Sequence, residues 1–206
     1  MAFENYWNDV FNKQKGDMPI YDDWLDKYLS EIKDVSTPIL DLGCGMGNNS
    51  LYLTQKGFNV IACDYSYVAL ESVNKNIPTA TTKYVDISKK LPFKNMEFSV
   101  VVADLSLHYF DNKTTIKIMK EIKRILKNGG YLFARVNSIN DVNYGAGQGT
   151  KIEDGFYFVQ GYNKRFFSLE DVNKYFSIIG KVNATNAKML RYKNPKELIE
   201  IKVEKQ

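Results

Sequence analysis

Apolar positions along the chain alternate between short runs and helical stripes, and the alternation begins at Pro38. Pro38 to Leu42 is a short apolar run, Asn48 to Lys56 has helical spacing, and Asn59 to Asp64 is a second apolar run. Gly57 is placed to close the helix between them. Ser66 can cap a helix over Tyr67 to Asn76, after which Thr82 to Asp86 and Phe98 to Ser106 read as the third and fourth strands. Within the fourth, Phe98 to Ala103 reads as buried on both faces. Ile116, Met119, Ile122, Ile125 and Leu126 mark the inward stripe of a helix from about Lys113 to Lys127, which Gly129 and Gly130 end before a fifth strand, Tyr131 to Val136.

Ahead of this alternation, Pro19 suits a first helical position and Ile20, Trp24, Leu25, Tyr28, Leu29 and Ile32 recur at helical spacing. Phe3, Tyr6, Trp7, Val10 and Phe11 predict another short helix, so residues 1–36 read as an N-terminal helical segment packed on the sheet. Downstream, Gly145, Gly147, Gly149 and Gly155 lie among polar residues and the periodicity dissolves. Residues 137–166 therefore read as a long mobile excursion on the substrate side, the kind of segment that carries specificity. Ser168 and Asp171 form a capping box, with Phe167 and Val172 as its staple, for a helix to about Ile179. Val182 to Tyr192 and Glu197 to Val203 read as two strands around a turn at Asn194 and Pro195, an antiparallel pair that closes the sheet. With no repeat or linker, the expectation is one domain over residues 1–206, a doubly wound α/β fold.

Composition adds exclusions. Of the 206 residues 44% are hydrophobic and 25% charged, the balance of an ordinary folded chain. Lys plus Arg (28) exceed Asp plus Glu (24) only slightly and are scattered, which weighs against a nucleic-acid partner. Cys44 and Cys63 make neither a disulfide framework nor a metal set, so no metal is expected. Glu4, Asn5, Asn8, Asp9 and Asn12 interrupt the first residues as no signal peptide would be interrupted, and no run approaches the roughly twenty apolar residues of a membrane span. A cytoplasmic protein without a membrane partner is the expectation.

The sharpest local signal is Asp41-Leu42-Gly43-Cys44-Gly45-Met46-Gly47, directly after one predicted strand and at the start of a predicted helix. Glycines there let the backbone bend tightly and let a ligand approach free helix N–H groups. The spacing is Gly-x-Gly-x-Gly, and position 48 is Asn, whereas a dinucleotide fingerprint needs Gly-x-Gly-x-x-Gly. Asp41 beside the turn would attract an ammonium group and repel a pyrophosphate. Asp64 ends the second strand, where its two oxygens can accept both hydroxyls of a ribose, an argument that serves a nicotinamide cofactor equally. Asp86 follows the third strand and Asp104 lies near the end of the fourth, so consecutive strands bring carboxylates to one edge.

Ile39 to Asn48, with Asp64 seventeen residues after Gly47, resembles the class I S-adenosylmethionine-dependent methyltransferases. Val85 to Ile87, Asp104 to Phe110 and Ile125 to Tyr131 extend the resemblance, and overall size resembles the small tellurite-resistance and small-molecule types. The resemblance implies a seven-stranded sheet of order 3-2-1-4-5-7-6 with the last strand antiparallel, and S-adenosylmethionine as cofactor. It further implies that Asp41, Gly43, Gly45 and Gly47 form the methionine side of the site and that Asp64 takes the ribose hydroxyls. Tyr65, Asp86 and Ile87 would surround the adenine, and Asp104 and Leu105 would line the sulfonium. The reaction would be in-line displacement to a small-molecule acceptor. His108, the sole histidine, is the candidate base if the acceptor must lose a proton. Tyr6, Trp7 and Tyr109 are candidates for an aromatic lid, and Lys164 or Arg165 for binding an acidic acceptor. Two competing functions stay open: a non-catalytic cofactor-binding module and a nicotinamide-dependent oxidoreductase.

Overall fold

The computed structural model describes residues 2–14, 16–32 and 37–206; Met1, Lys15, residues 33–36, where the expected N-terminal segment ends, and the side chains of residues 2–5, Phe3 among them, lie outside the described residues. The strands are β1 (Ile39–Leu42), β2 (Val60–Asp64), β3 (Thr81–Tyr84), β4 (Phe98–Asp104), β5 (Leu126–Asn137), β6 (Thr150–Glu153), β7 (Phe156–Val159), β8 (Tyr162–Arg165), β9 (Gly180–Met189) and β10 (Lys196–Lys205). The helices are α1 (Ala2–Asn12), α2 (Leu29–Ile32), α3 (Asn48–Gln55), α4 (Tyr67–Asn76), α5 (Asn112–Ile125) and α6 (Leu169–Phe176).

Seven strands form one sheet in the order β3-β2-β1-β4-β5-β10-β9. β1 to β5 run parallel, and β10 is antiparallel to both β5 and β9. This is the expected order, with β10 as the seventh strand and β9 as the sixth. Alternation along each strand builds two apolar layers. Leu40, Leu42, Leu132, Ala134, Ile199 and Ile201 face α5 and α6, while Ile39, Val100, Val102 and Phe133 face α3, α4 and the segment around Trp24 and Leu25. The capping box of α6 is formed as expected, Ser168 Oγ accepting from the Asp171 N–H and Asp171 from the Ser168 N–H. The Ser66 cap of α4 is formed as well.

Three expectations need correction. The predicted helix from Pro19 to Ile32 is broken into an extended stretch, a 3-10 turn at Asp26–Tyr28 and the short α2. Tertiary bonds override its helical periodicity: the Ile20 N–H donates to Asn48 Oδ1 (3.0 Å) and Trp24 Nε1–H to Asn49 Oδ1 (2.9 Å), which draw the chain across the sheet edge. Helix α5 ends at Ile125, so Gly129 and Gly130 lie inside β5 rather than before it. A β-bulge between Phe98 and Val100 absorbs the change of register there. The excursion is ordered, for β6, β7 and β8 form an antiparallel meander around Ala146, Val159 and Phe166. Its glycines serve close approach rather than looseness: at Gly149 (φ +80°) a Cβ would stand 2.3 Å from the Phe158 carbonyl oxygen.

Arg135, third residue from the end of β5 and 3% exposed, ties the N-terminal segment to the sheet. Its guanidinium donates in fork geometry to Asp104 (2.7 and 2.7 Å) and to Asp22 (2.7 and 3.1 Å), and lies 4.5 Å from the Trp24 ring centroid. Burial alone would raise the Asp104 pKa, but Arg135, with Arg191 and Asn49 behind it, holds the carboxyl below its usual range. Replacing Arg135 by Met should cost about 3 to 5 kcal/mol in urea unfolding, because the Asp104 charge stays buried without its partner. The folded Asp104 pKa is depressed, so its contribution is whole above the unfolded value of about 3.9 and drains as pH falls through the folded one. Asp104→Asn should accordingly flatten the acid limb of the stability profile; an unchanged limb would place that acid sensitivity elsewhere.

Candidate functional site

The C-terminal ends of the parallel strands open into one cavity of about 750 Å³. Its floor is the turn between β1 and α3. Gly43 has φ +78°, and a Cβ there would stand 2.4 Å from Ser106 Cβ, so only glycine lets the end of β4 close on the turn. Ser106 Oγ completes the closure by donating to the Leu42 carbonyl (2.7 Å).

The carboxylates foreseen at the sheet edge are placed differently from one another. Asp64 faces the cavity and is 8% exposed, with Oδ2 accepting from the Gly45 N–H (3.0 Å) and Oδ1 from the Ser66 N–H (2.9 Å). Burial raises its pKa, and these backbone donors pull against that rise. Asp86 lies just past β3 in the cavity wall beside Ile87, its Oδ1 accepting from the Ser88 N–H (2.9 Å) and hydroxyl (2.6 Å). Asp104 also reaches the cavity, although Arg135 and Asn49 already hold its oxygens.

Asp41 and Gly47 do not line the cavity. Asp41 is fully buried behind the turn, where Oδ2 accepts from Ser50 Oγ (2.6 Å) and Oδ1 has no hydrogen-bond partner among the described residues. Burial, then the negative Asp104 and Asp64, push its pKa up to about 7. Gly47 instead lets α3 pack on α4, since a Cβ there would meet Ile77 and Val73 at 2.8 and 2.9 Å. Gly43, Gly45, Tyr65 and Leu105 line the cavity. Leu105 holds a left-handed φ of +53°, a strained conformation of the kind that clusters at functional sites.

The three aromatic residues expected to come together do so. Trp7 lies 5.3 Å from Tyr6 and 5.0 Å from Tyr109 between ring centroids, and Tyr162 of β8 joins them at 4.9 Å from Tyr6. Lys164 and Arg165 separate, as neighbours on a strand must. Lys164 lines the cavity; Arg165 is 2% exposed and structural, bonded to Glu153 and to the carbonyls of Asp154 (3.0 Å) and Phe110 (3.3 Å).

His108 lines the cavity at 2% exposure, and its Nδ1 has no hydrogen-bond partner among the described residues. Burial, then the positive Lys196 and Lys164, keep its pKa well below the usual value, so the ring is neutral. Asn137 and Lys196 join it in the wall and were missed in the sequence. Asn137 had a signal, for Tyr131, Phe133, Arg135 and Asn137 alternate on one face of β5 and the last two are polar. Lys196 had none, since its place depends on β10 pairing Leu198 with Asn137.

Comparison with known proteins agrees with this arrangement. The family described as a methyltransferase domain matches residues 39–130. The chain is 30% identical over 142 residues to a probable S-adenosyl-L-methionine-dependent methyltransferase, TehB, of Haemophilus influenzae, covering 65% of this chain and 47% of that protein. It is 38% identical over 100 residues to an uncharacterized methyltransferase, sll0829, of Synechocystis, covering 48% and 46%. The chain thus spans about half the length of these relatives. Among solved structures, a SAM-dependent methyltransferase of Methanosarcina mazei superposes with a TM-score of 0.70 at 23% identity over 88% of this chain and 96% of that one. The TehB structure superposes at 0.64 and 18% identity over 88% and 62%. No helix among the described residues is long and apolar enough to cross a membrane. Residues 39–130 match the methyltransferase-domain family, and the sheet that carries them has the fold of solved S-adenosylmethionine-dependent methyltransferases.

Proposed function

We propose that this protein methylates a small-molecule acceptor by in-line displacement. The observation that carries the reading is one cavity in which the glycine turn, Asp64 and Asp86 occupy one side and the neutral His108 another. S-adenosylmethionine supplies a methyl group on a sulfonium, together with an ammonium, a ribose and an adenine for the protein to recognise.

The residues present fit that group. Asp41, behind the turn, adds negative potential that favours an ammonium across it, and the carboxylates that line the cavity suit hydroxyl and amino donors. The same crowd of carboxylates opposes a pyrophosphate, which supports this reading over the nicotinamide-dependent oxidoreductase. Asp64 is held by two backbone N–H groups with lone pairs to spare for the ribose hydroxyls. Asp86 and Ile87 would hold the adenine, Tyr65 would lie against it, and Leu105 would stand on the sulfonium side. Tyr6, Trp7 and Tyr109 would exclude water above it. Neutral at ordinary pH, His108 is available to accept a proton from the acceptor.

Asp64→Ala should weaken S-adenosylmethionine binding by about 1.5 to 3 kcal/mol in isothermal titration calorimetry, as charge-assisted hydrogen bonds are lost. Unaltered affinity would remove Asp64 from the cofactor site. His108→Ala should keep cofactor affinity and lower turnover; loss of affinity with the fold intact would move His108 to the cofactor side.

Asp41 predicts a pH dependence. Its folded pKa of about 7 exceeds the unfolded value, so the cost of ionising it is absent at low pH and accumulates as pH rises towards 7. A bound ammonium favours the ionised form and expels the proton. Cofactor affinity should therefore tighten as pH rises from about 6 to 8, with proton release visible as a buffer-dependent binding enthalpy. Proton uptake would contradict a role for Asp41 in attracting the ammonium through the turn.

A further inference from the structure

On the side of the cavity away from Asp64 and Asp86, the wall holds more polar capacity than the protein itself satisfies. Asn137 is 1% exposed, and neither its Oδ1 nor its Nδ2 has a hydrogen-bond partner among the described residues. Native proteins rarely leave a whole buried amide unpaired, since each orphaned group bears its full desolvation penalty. His108, equally buried, leaves Nδ1 unpartnered.

Two lysines stand beside them. Lys196 is 6% exposed and ion-paired to the fully buried Asp141 (2.6 Å), so its charge is met. Lys164, 3% exposed, is different. Its Nζ donates to the Tyr144 carbonyl (3.0 Å) and to Gln160 Oε1 (2.7 Å), both neutral, and among the described residues no carboxylate lies within ion-pairing distance. The two ammonium groups converge on Tyr144, one at its carbonyl and the other 4.6 Å from its ring centroid. The wall thus carries one buried positive charge in excess, an unpaired amide and aromatic sides from Tyr144 and Tyr162.

We propose that the acceptor is a small organic acid whose carboxylate sits against Lys164 and the Asn137 amide. The proposal rests on the methyltransferase reading and names the substrate class of that same site. A carboxylate supplies the missing negative charge and accepts from both the ammonium and the Nδ2–H groups. Burial, and then Lys196, lower the Lys164 pKa to about 8 against the opposing pull of Asp141, which Lys196 already engages as an ion pair. Asn137 would then be kept polar for the ligand at the expense of the fold.

The test is isothermal titration calorimetry on protein saturated with S-adenosylhomocysteine, which occupies the cofactor side without reacting. The probes are benzoate, 4-hydroxybenzoate, phenylacetate and succinate, each against its uncharged amide, with inorganic phosphate alongside. The expected result is that at least one acid binds tenfold or more tighter than its amide, and tighter than phosphate. Lys164→Met should abolish that preference. Asn137→Leu should weaken the acid at least tenfold while leaving the thermal midpoint unchanged or higher, because no hydrogen bond within the protein is lost; a merely structural amide would lower it. Equal binding of acids and amides, binding of no acid, phosphate preferred to every acid, or full acid affinity in Asn137→Leu would each overturn the proposal. If S-adenosylhomocysteine itself fails to bind, it is the methyltransferase reading that falls.

Discussion

The structure turns on one buried guanidinium. Arg135 reaches from β5 to Asp104 at the end of β4 and to Asp22 in the segment that crosses the sheet edge, so three stretches far apart in sequence meet at one side chain. Its charge balance is what matters: two carboxylates share it, and each is fixed in direction by fork geometry. Trp24 covers its face, and Asn49 links Trp24 back to Asp104, closing a ring of polar contacts at the mouth of the cavity. A buried ion pair of this kind is weak support for stability in itself, but it fixes geometry strictly. The geometry fixed here is the height of the β4 terminus, and with it the positions of Leu105, Ser106 and His108.

Much of this was legible in the sequence because it is local. The parallel strands carry their own signature in runs such as Ile39–Leu42 and Phe98–Ala103, and the capping box at Ser168 and Asp171 announces α6. The glycine turn and the carboxylates at Asp64 and Asp86 follow from where strands end. What escaped depends on tertiary partners. The stretch from Pro19 to Ile32 has helical periodicity, yet Ile20 and Trp24 bond to α3 and the helix is not continuous. Glycines at 145, 147 and 149 look like slack, although Gly149 permits the approach of a neighbouring strand. Asp41 resembled a residue of the site itself and lies behind it. Lys164 and Arg165 could not be told apart until strand β8 assigned them to opposite faces.

The division of labour within the cavity follows the two origins of its walls. The parallel strands and the turns after them contribute acceptor-rich groups, Asp64 and Asp86, which suit the donor-rich cofactor proposed for that side. The end of β5, the start of β10 and β8 contribute Asn137, Lys196 and Lys164, a donor-rich counterpart. Opposite polarity across one cavity would orient the two proposed ligands without a partition between them, since each is repelled where the other is welcome.

The meander that supplies Lys164 is clamped where it leaves and rejoins the sheet. Asn137 O accepts from the Phe167 N–H (2.9 Å) and the Ile139 N–H donates to Phe167 O (3.0 Å), so the two ends of the insertion are neighbours whatever lies between them. Such a base makes the insertion exchangeable. Doubling the length of a loop closed in this way costs only about 0.6 kcal/mol of extra chain entropy. The wall that carries Lys164 can therefore be lengthened, shortened or replaced as a unit while the sheet and the glycine turn stay as they are, because the insertion leaves and rejoins the sheet at two adjoining hydrogen bonds.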